Sequence, residues 1–328
     1  MNWNDQVILI TGGTGSFGKK FVEIVLKKYR PKKLIIFSRD ELKQFEMKQH
    51  FDGPRIRYFI GDVRDLERLR RAFYGVDIVI HTAALKQVPS CEYNPFEAVQ
   101  TNVIGAENVI TAAIDRGVKK VLALSTDKAA NPINLYGATK LCADKLFIAG
   151  NAYTGHTQTR FSVVRYGNVI GSRGSVVPFF QKKRKTGVIP ITDERMTRFW
   201  ITLEQGVEFV VKCLQIMHGG ELFIPKIPSM RIMNLKQAIA PNCKHVVTGI
   251  RPGEKLHEVL LPADEARNAL EFKEMYILEP NFEWWGKGNH KKGKRLPEDF
   301  EFRSDKNAEW LTENKLKALI QKSEPLEE

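Results

Sequence analysis

The chain has 328 residues, 43% of them hydrophobic, and carries 51 Lys and Arg against 38 Asp and Glu, a formal net charge of +13. A chain of this size and hydrophobicity can bury a substantial core, as one large domain or two modest ones, so a folded, soluble protein is expected. No run approaches the ~20 apolar residues that span a bilayer, and the start MNWNDQVILITGG lacks the pattern of a secretory signal, so no membrane and a cytoplasmic location are expected.

Along the first half, short apolar runs alternate with amphipathic segments. QVILIT precedes KKFVEIVLKKY, KKLIIFS precedes ELKQFEMKQHF, and IRYFIGD precedes LERLRRAFY. The alternation continues through VDIVIHTAA, a helical pattern over residues 95–116, KKVLALST, a helix from Tyr136 and RFSVVRYG. Strands this apolar, separated by helices, predict a doubly wound α/β fold with a parallel sheet covered on both faces. After Gly171 the rhythm loosens. The expected division is a dinucleotide-binding domain over residues 1–170 and a smaller, mainly substrate-binding region over 171–328, with about 200–225 rejoining the main sheet. A charged peripheral extension is expected from Lys287.

The positive charge suits nucleic acid, a membrane surface or small anionic ligands such as nucleotides. The basic clusters QKKRKTG and NHKKGKR lie in no recognisable nucleic-acid module and read as solvated loops, so no nucleic-acid partner is expected. Cys91, Cys142, Cys213 and Cys243 have neither C-x-x-C spacing nor a neighbouring His pattern, and no metal or disulfide is expected.

VILITGGTGSFG places Gly12, Gly15 and Gly18 between the first strand and the first helix, with Thr14, Ser16 and Phe17 in the same loop. A tight turn, close backbone approach to a pyrophosphate and a helix N-terminus are what a dinucleotide requires there. At the end of the second strand, Ser38, Arg39 and Lys43 stand where a 2′-phosphate would lie, which favours NADP over NAD, although Asp40 is adjacent. Asp62 and Val63 of GDVRD fall beside the adenine, and Ala83 ends the fourth strand near the cofactor; Asp62 also fits a helix cap.

Tyr136 and Lys140 are four apart, so on a helix they share one face. A phenol with a reference pKa of about 10 works as a base only where nearby positive charge favours its anion. Just upstream, an apolar strand ends at Thr126, Asp127 and Lys128.

The TGGTGSFG loop, GDV, HTAA, Asn102 in QTNVIGAENV and YGATK, in that order, resemble the extended short-chain dehydrogenase/reductase family. A narrower likeness, carried by AALKQVPSCEYNP, STDKAANPINLYGATK, RYGNVIGSRGSVVPFF and RPGEKLHE, is to inverting UDP-N-acetylglucosamine 4,6-dehydratases of pseudaminic acid synthesis. It covers nearly the whole chain and weakens in the last few dozen residues. Many hexose 4,6-dehydratases carry Thr-Asp-Glu at this strand end, and here Lys128 stands in place of the Glu. The resemblance implies that Asp127 is the acid toward the C6 hydroxyl and Lys128 the acid/base at C5. It also implies that Tyr136, Lys140 and Thr126 serve oxidation at C4, with Asn102 supporting Lys140. It further places Lys86 and Asn168 near the sugar and diphosphate, Thr192 and Arg251 near the nucleotide, and Glu254 at ribose hydroxyls. UDP-N-acetylglucosamine is then the substrate, NADP the tightly held cofactor, and the assembly a homo-oligomer built on dimers, with a hexamer as the larger alternative. The rival readings are a retaining dehydratase, a sugar nucleotide 4-epimerase, or a non-catalytic NADP sensor.

Overall fold

The computed structural model describes residues 2–286 and 289–322. Lys287, where the sequence reading starts its peripheral extension, lies outside the described residues.

The alternating apolar runs form β1 (Val7–Thr11), β2 (Lys33–Ser38), β3 (Ile56–Ile60), β4 (Ile78–His81), β5 (Lys120–Thr126) and β6 (Arg160–Tyr166). Between them lie α1 (Ser16–Lys28), α2 (Glu41–His50), α3 (Leu66–Ala72), α4 (Val88–Tyr93), α5 (Pro95–Val99), α6 (Gly105–Asp115) and α7 (Leu135–Ala149). The pattern over residues 95–116 is not one uniform α-helix, because the turn Gln100–Ile104 between α5 and α6 is a π-helix. Helix starts follow their side chains: Asp40 accepts from the Lys43 N–H, Asp65 from Arg68 and Asn134 from Gly137. These are the orphan donors that an N-cap satisfies.

The second half supplies β7 (Asn168–Ile170), α8 (Val176–Arg184), β8 (Val188–Ile191), β9 (Thr197–Thr202), α9 (Leu203–Ile216) and β10 (Leu222–Pro225). It continues with β11 (Ser229–Arg231), α10 (Ile232–Ile239), β12 (Lys244–Val247), β13 (Val259–Leu261), α11 (Ala263–Ala266), β14 (Ala269–Glu271) and β15 (Met275–Leu278). β16 (Lys294–Arg295), β17 (Phe302–Arg303) and α12 (Glu313–Lys322) complete the described elements.

The main sheet has the order β16-β14-β15-β10-β6-β5-β4-β1-β2-β3. Pairing is parallel from β3 across to β10, and antiparallel for β15, β14 and β16. This is a doubly wound α/β sheet with an antiparallel edge. Its interior strands are buried on both faces, with Ile8, Leu9, Ile10, Val79, Ile80, Val121 and Leu122 at most 1% exposed. A second, smaller core gathers Phe180, Ile189, Trp200, Met230, Leu235 and Leu316 around α8, β8, α10 and α12. The chain reverses strand order between β1 and β4, so the carboxyl ends of β1, β4, β5 and β6 open on one crevice, the expected place for a ligand.

Candidate active site

That crevice is a cavity of about 450 Å³. Gly12, Gly15, Ser16, Phe17 and Gly18 form one wall. Gly12 has φ +65, and a Cβ there would lie 2.9 Å from the Ala83 backbone, so a side chain is excluded by both conformation and space. α1 begins at Ser16 behind Gly15, which offers no side-chain cap, leaving the first N–H groups of a 13-residue helix to attract an anion. Thr14 is not on the wall. Its hydroxyl pairs with the Ser38 hydroxyl at 2.9 Å, bracing the glycine loop against the end of β2.

Ser38, Arg39, Asp62, Val63 and Ala83 line the far end of the cavity. Arg39 is 3.7 Å from Asp62. Burial pushes the Asp62 carboxyl up, but hydrogen bonds from Arg64 and the nearby guanidinium of Arg39 outweigh it, so it is held below its ordinary value. Asp62 is not the cap of α3; Asp65 is. Lys43 is turned to Asp40 in an ion pair and does not line the cavity.

Thr126, Asp127, Lys128, Tyr136 and Lys140 all face the same cavity. β5 ends at Thr126, one 3-10 turn carries Asp127–Ala129, and α7 begins at Leu135 after the short link of residues 130–134. α7 approaches this turn so closely that a Cβ on Gly137 would stand 2.1 Å from the Lys128 carbonyl oxygen. The Thr126 hydroxyl and the Lys128 ammonium both donate to Asp127 Oδ1, each at 2.9 Å. Lys128 Nζ also lies 3.4 Å from Glu258 Oε1.

Electrostatics within this group are set by burial and by alternating charge. Burial works against the Lys128 ammonium, yet Asp127 and Glu258 outweigh it and hold the pKa above its ordinary value. Burial and the charge of Glu258 raise the Asp127 carboxyl, with Lys128 opposing. Burial pushes the Tyr136 phenol up to about 12, with Lys128 pulling the other way. Lys140 is lowered by burial, with Asp144 opposing.

Of the residues expected at substrate, Lys86 and Asn168 line the cavity, and Asn168 Oδ1 is buried without a hydrogen-bond partner among the described residues. Burial lowers the Lys86 ammonium, which donates to the Arg173 carbonyl at 3.1 Å. Thr192, Arg251 and Glu254 are not on the cavity wall. Thr192 donates to Met196 Sδ, Arg251 is exposed, and Glu254 lies 3.7 Å from Arg198. Asn102 does not bond Lys140 here. Its amide exchanges hydrogen bonds with the Leu85 backbone and donates to Thr139, fixing the chain after β4 to α7. His257 pairs with Thr197 at 2.9 Å, a structural contact. Among the described residues no cluster of three or more His, Cys, Asp or Glu side chains suits a metal, and no helix is long and apolar enough to cross a membrane.

The sequence pattern of the polysaccharide biosynthesis protein family matches residues 8–280. The chain belongs to this family. It is an extended short-chain dehydrogenase/reductase. Its relatives include a protein of Campylobacter jejuni subsp. jejuni serotype O:2 named UDP-N-acetylglucosamine 4,6-dehydratase (inverting), 55% identical over 98% of this chain and 99% of the relative. A Rickettsia conorii protein named UDP-glucose 4-epimerase is 43% identical over 84% of this chain and 83% of its own. Among solved structures, Pen from Bacillus thuringiensis superposes with a TM-score of 0.90 at 40% identity, covering 98% of this chain and 99% of that one.

Within this family member, the sequence reading missed Glu258 and Arg198. Glu258 closes RPGEKLHE, the motif from which Arg251 and Glu254 were chosen, and sits immediately before the apolar strand β13. A carboxylate at the mouth of a buried strand was the available signal. Arg198 lies in β9, where nothing local separates it from a surface arginine, yet it is 8% exposed.

Proposed function

We propose that this protein is an NADP-dependent UDP-N-acetylglucosamine 4,6-dehydratase that inverts C5, giving UDP-2-acetamido-2,6-dideoxy-β-L-arabino-hex-4-ulose as the first step of pseudaminic acid synthesis. The observation that carries this reading is the Asp127–Lys128 pair at the end of β5, in one cavity with Tyr136 and Lys140. The Campylobacter relatives support it at 55% and 54% identity over 98% of the chain.

A dinucleotide fits the residues present: the Gly12 to Gly18 loop admits a close backbone approach, and the uncapped start of α1 suits a pyrophosphate. Arg39 at the end of β2 suits a 2′-phosphate. Held by the Gly12 to Gly18 loop and Arg39, a nicotinamide dinucleotide would supply the hydride acceptor for C4 and the hydride donor for C6.

Tyr136 takes the proton of the C4 hydroxyl, for which its phenol must be lowered from about 12 by the positive charge around it. Elimination then needs a base at C5 and an acid at the C6 oxygen. The 2.9 Å hydrogen bond from Lys128 to Asp127 provides both from a single shift, because moving that proton yields a neutral amine and a carboxylic acid together. The amine takes the C5 proton, the acid protonates the C6 oxygen as the C6–O bond breaks, and water leaves. Lys128 is again an ammonium and Asp127 a carboxylate. Two protons have left the sugar, to Tyr136 and Lys128, and one has gone out with water. A solvent proton then adds to C5 on the face opposite Lys128, inverting that carbon, and Tyr136 gives its proton back to solvent, which returns all three groups to their starting states.

The Rickettsia relatives named as 4-epimerases favour a second reading, which needs Tyr136 and Lys140 but no acid at C6. Incubating purified protein with UDP-N-acetylglucosamine and following product mass separates the two. Loss of one water supports the dehydratase, and conversion without mass change supports the epimerase.

A further inference from the structure

The four charged groups Arg198, Glu258, Lys128 and Asp127 alternate in sign. Arg198 Nε is 3.7 Å from Glu258 Oε1, that same oxygen is 3.4 Å from Lys128 Nζ, and Nζ is 2.9 Å from Asp127 Oδ1. The carboxylates are almost fully enclosed, with side-chain exposures of 1% for Asp127 and 3% for Glu258. Such burial is costly for an ion and persists only where partners compensate it. Asp127 Oδ2 and Glu258 Oε2 are buried without a hydrogen-bond partner among the described residues, so each carboxylate keeps one acceptor uncommitted inside the group. Glu258 is also fixed through its backbone, whose N–H donates to the Ser304 hydroxyl. Arg198 is fixed by bonds to the carbonyls of Thr197, Lys255 and Leu256.

We propose that Glu258, clamped by Arg198, is a positioning residue for Lys128: it holds the Lys128 ammonium beside the sugar and sets how readily that ammonium gives up its proton. This rests on the reading of Lys128 as the C5 acid/base. The groups facing Lys128 come from four elements: Asp127 on its own turn, Tyr136 on α7, Arg198 on β9, and Glu258 with Lys255 on the approach to β13. Asp127 and Glu258 favour the charged amine, while burial and Arg198 oppose it. Asp127 is the amine's proton acceptor during elimination. Glu258 is thus the standing counter-charge that remains when Asp127 is protonated. The same Arg198 lies 3.7 Å from Glu254, so the loop that begins at Arg251 is tied to Lys128 through one guanidinium.

The test compares wild type, Glu258→Gln, Glu258→Asp, Arg198→Met and Lys128→Met in UDP-N-acetylglucosamine turnover, with pH profiles of kcat and deuterium uptake at C5. Removing the Glu258 charge takes away an attraction that shifts a neighbouring pKa by about one to three units. The limb of the kcat profile that reports deprotonation of Lys128 should therefore move to lower pH in Glu258→Gln. At neutral pH kcat should fall about tenfold or more with KM changed less than about threefold, as expected when an oriented acid/base group loses its support. Glu258→Asp should recover part of the rate, and Arg198→Met should lower kcat more weakly while moving the same limb to higher pH, because Arg198 opposes the charged amine. Should Glu258→Gln fail to fold, as judged by circular dichroism and melting, Arg198→Met and Glu258→Asp carry the comparison. An unshifted pH profile and near-wild-type kcat in the folded Glu258 or Arg198 variants, with Lys128→Met inactive, overturns the role of Glu258 alone. Wild-type deuterium uptake at C5 in Lys128→Met instead overturns the reading of Lys128 on which the proposal rests.

Discussion

Lys128 Nζ donates to Asp127 Oδ1 at 2.9 Å, so two neighbours in sequence hold one proton between an amine and a carboxylate at the floor of the cavity. The raised pKa of both groups, from burial and Glu258 at Asp127 and from the two carboxylates at Lys128, favours the proton staying within the pair. Asp127→Asn keeps the shape and removes the acid. It should lower water elimination about 10²–10⁴-fold and slow solvent deuterium uptake at C5 of recovered UDP-N-acetylglucosamine with it, because Lys128 loses the carboxylate that takes its proton. Mass spectrometry of recovered substrate in deuterated water checks this, and a wild-type elimination rate would contradict it.

Gly137 is required by the approach of α7 to the Lys128 carbonyl. Gly137→Ala places a Cβ 2.1 Å from that backbone oxygen, and no flexible side chain is available to move. Overpacking of this kind costs about 1–3 kcal/mol, and here it also displaces Lys128. A melting temperature lowered by several degrees, together with kcat reduced at least about tenfold, is the expected outcome in calorimetry and turnover assays.

His81 ends β4 at 1% exposure. Thr11 Oγ1 accepts from the Thr82 and Ala83 N–H groups, which leaves its own hydrogen to donate to His81 Nδ1 and assigns the neutral ring with hydrogen on Nε2. Burial, then the charge of Lys140, lowers the pKa from 6.5 to about 3. The folded pKa is depressed, so this contribution to stability is full above about 6.5 and is lost progressively as pH falls toward about 3. His81→Gln should flatten the fall of melting temperature between pH 7.5 and pH 4.5, as read by scanning calorimetry at several pH values. Parallel curves for the two proteins would refute it.

Arg165 is 1% exposed between Asp144 at 3.6 Å and Glu265 at 2.5 Å, tying β6 to α7 and α11. Arg165→Met leaves the Asp144 carboxylate buried without its guanidinium, a loss of about 3–5 kcal/mol. Asp144→Asn in the same chain should restore part of the stability, because the orphaned charge disappears. Urea unfolding midpoints of the single and double variants decide the matter.

If the cofactor is NADP, Arg39 is the cavity-lining residue that would meet its 2′-phosphate, since Lys43 is paired with Asp40. Arg39→Ala should weaken NADP about tenfold, the worth of one charged hydrogen bond, and NAD less than threefold. Titration calorimetry with both dinucleotides checks the ratio.

Much of this arrangement was legible in sequence because it is local. The parallel sheet follows from apolar strands such as VILIT and KLIIF, the glycine loop from its place between β1 and α1, and Tyr136 with Lys140 from helical spacing. Asp127 and Lys128 were visible as a polar triplet ending an apolar strand. Glu258 and Arg198 were not, because their partners, Lys128 and Glu258, lie 130 and 60 positions away and only the folding of β9 and β13 onto the turn after β5 brings the charges together. The partners through which the Asn102 amide supports α7 beside Lys140, namely Thr139 and the Leu85 backbone, were not legible for a similar reason. The π-turn that carries the amide aims it at the Leu85 backbone, a distortion that no periodicity announces. Arg251, Glu254 and Thr192 resemble binding residues by motif, yet their side chains do not line the cavity.

The most direct measurement is a proton NMR time course of the protein with UDP-N-acetylglucosamine in deuterated water, run beside Lys128→Ala. The expected product is a 4-keto-6-deoxy sugar nucleotide carrying deuterium at C5, with couplings of the inverted configuration, and no such product from the variant. Formation of UDP-N-acetylgalactosamine with the C6 hydroxyl intact, or a C5-retained product, would contradict it.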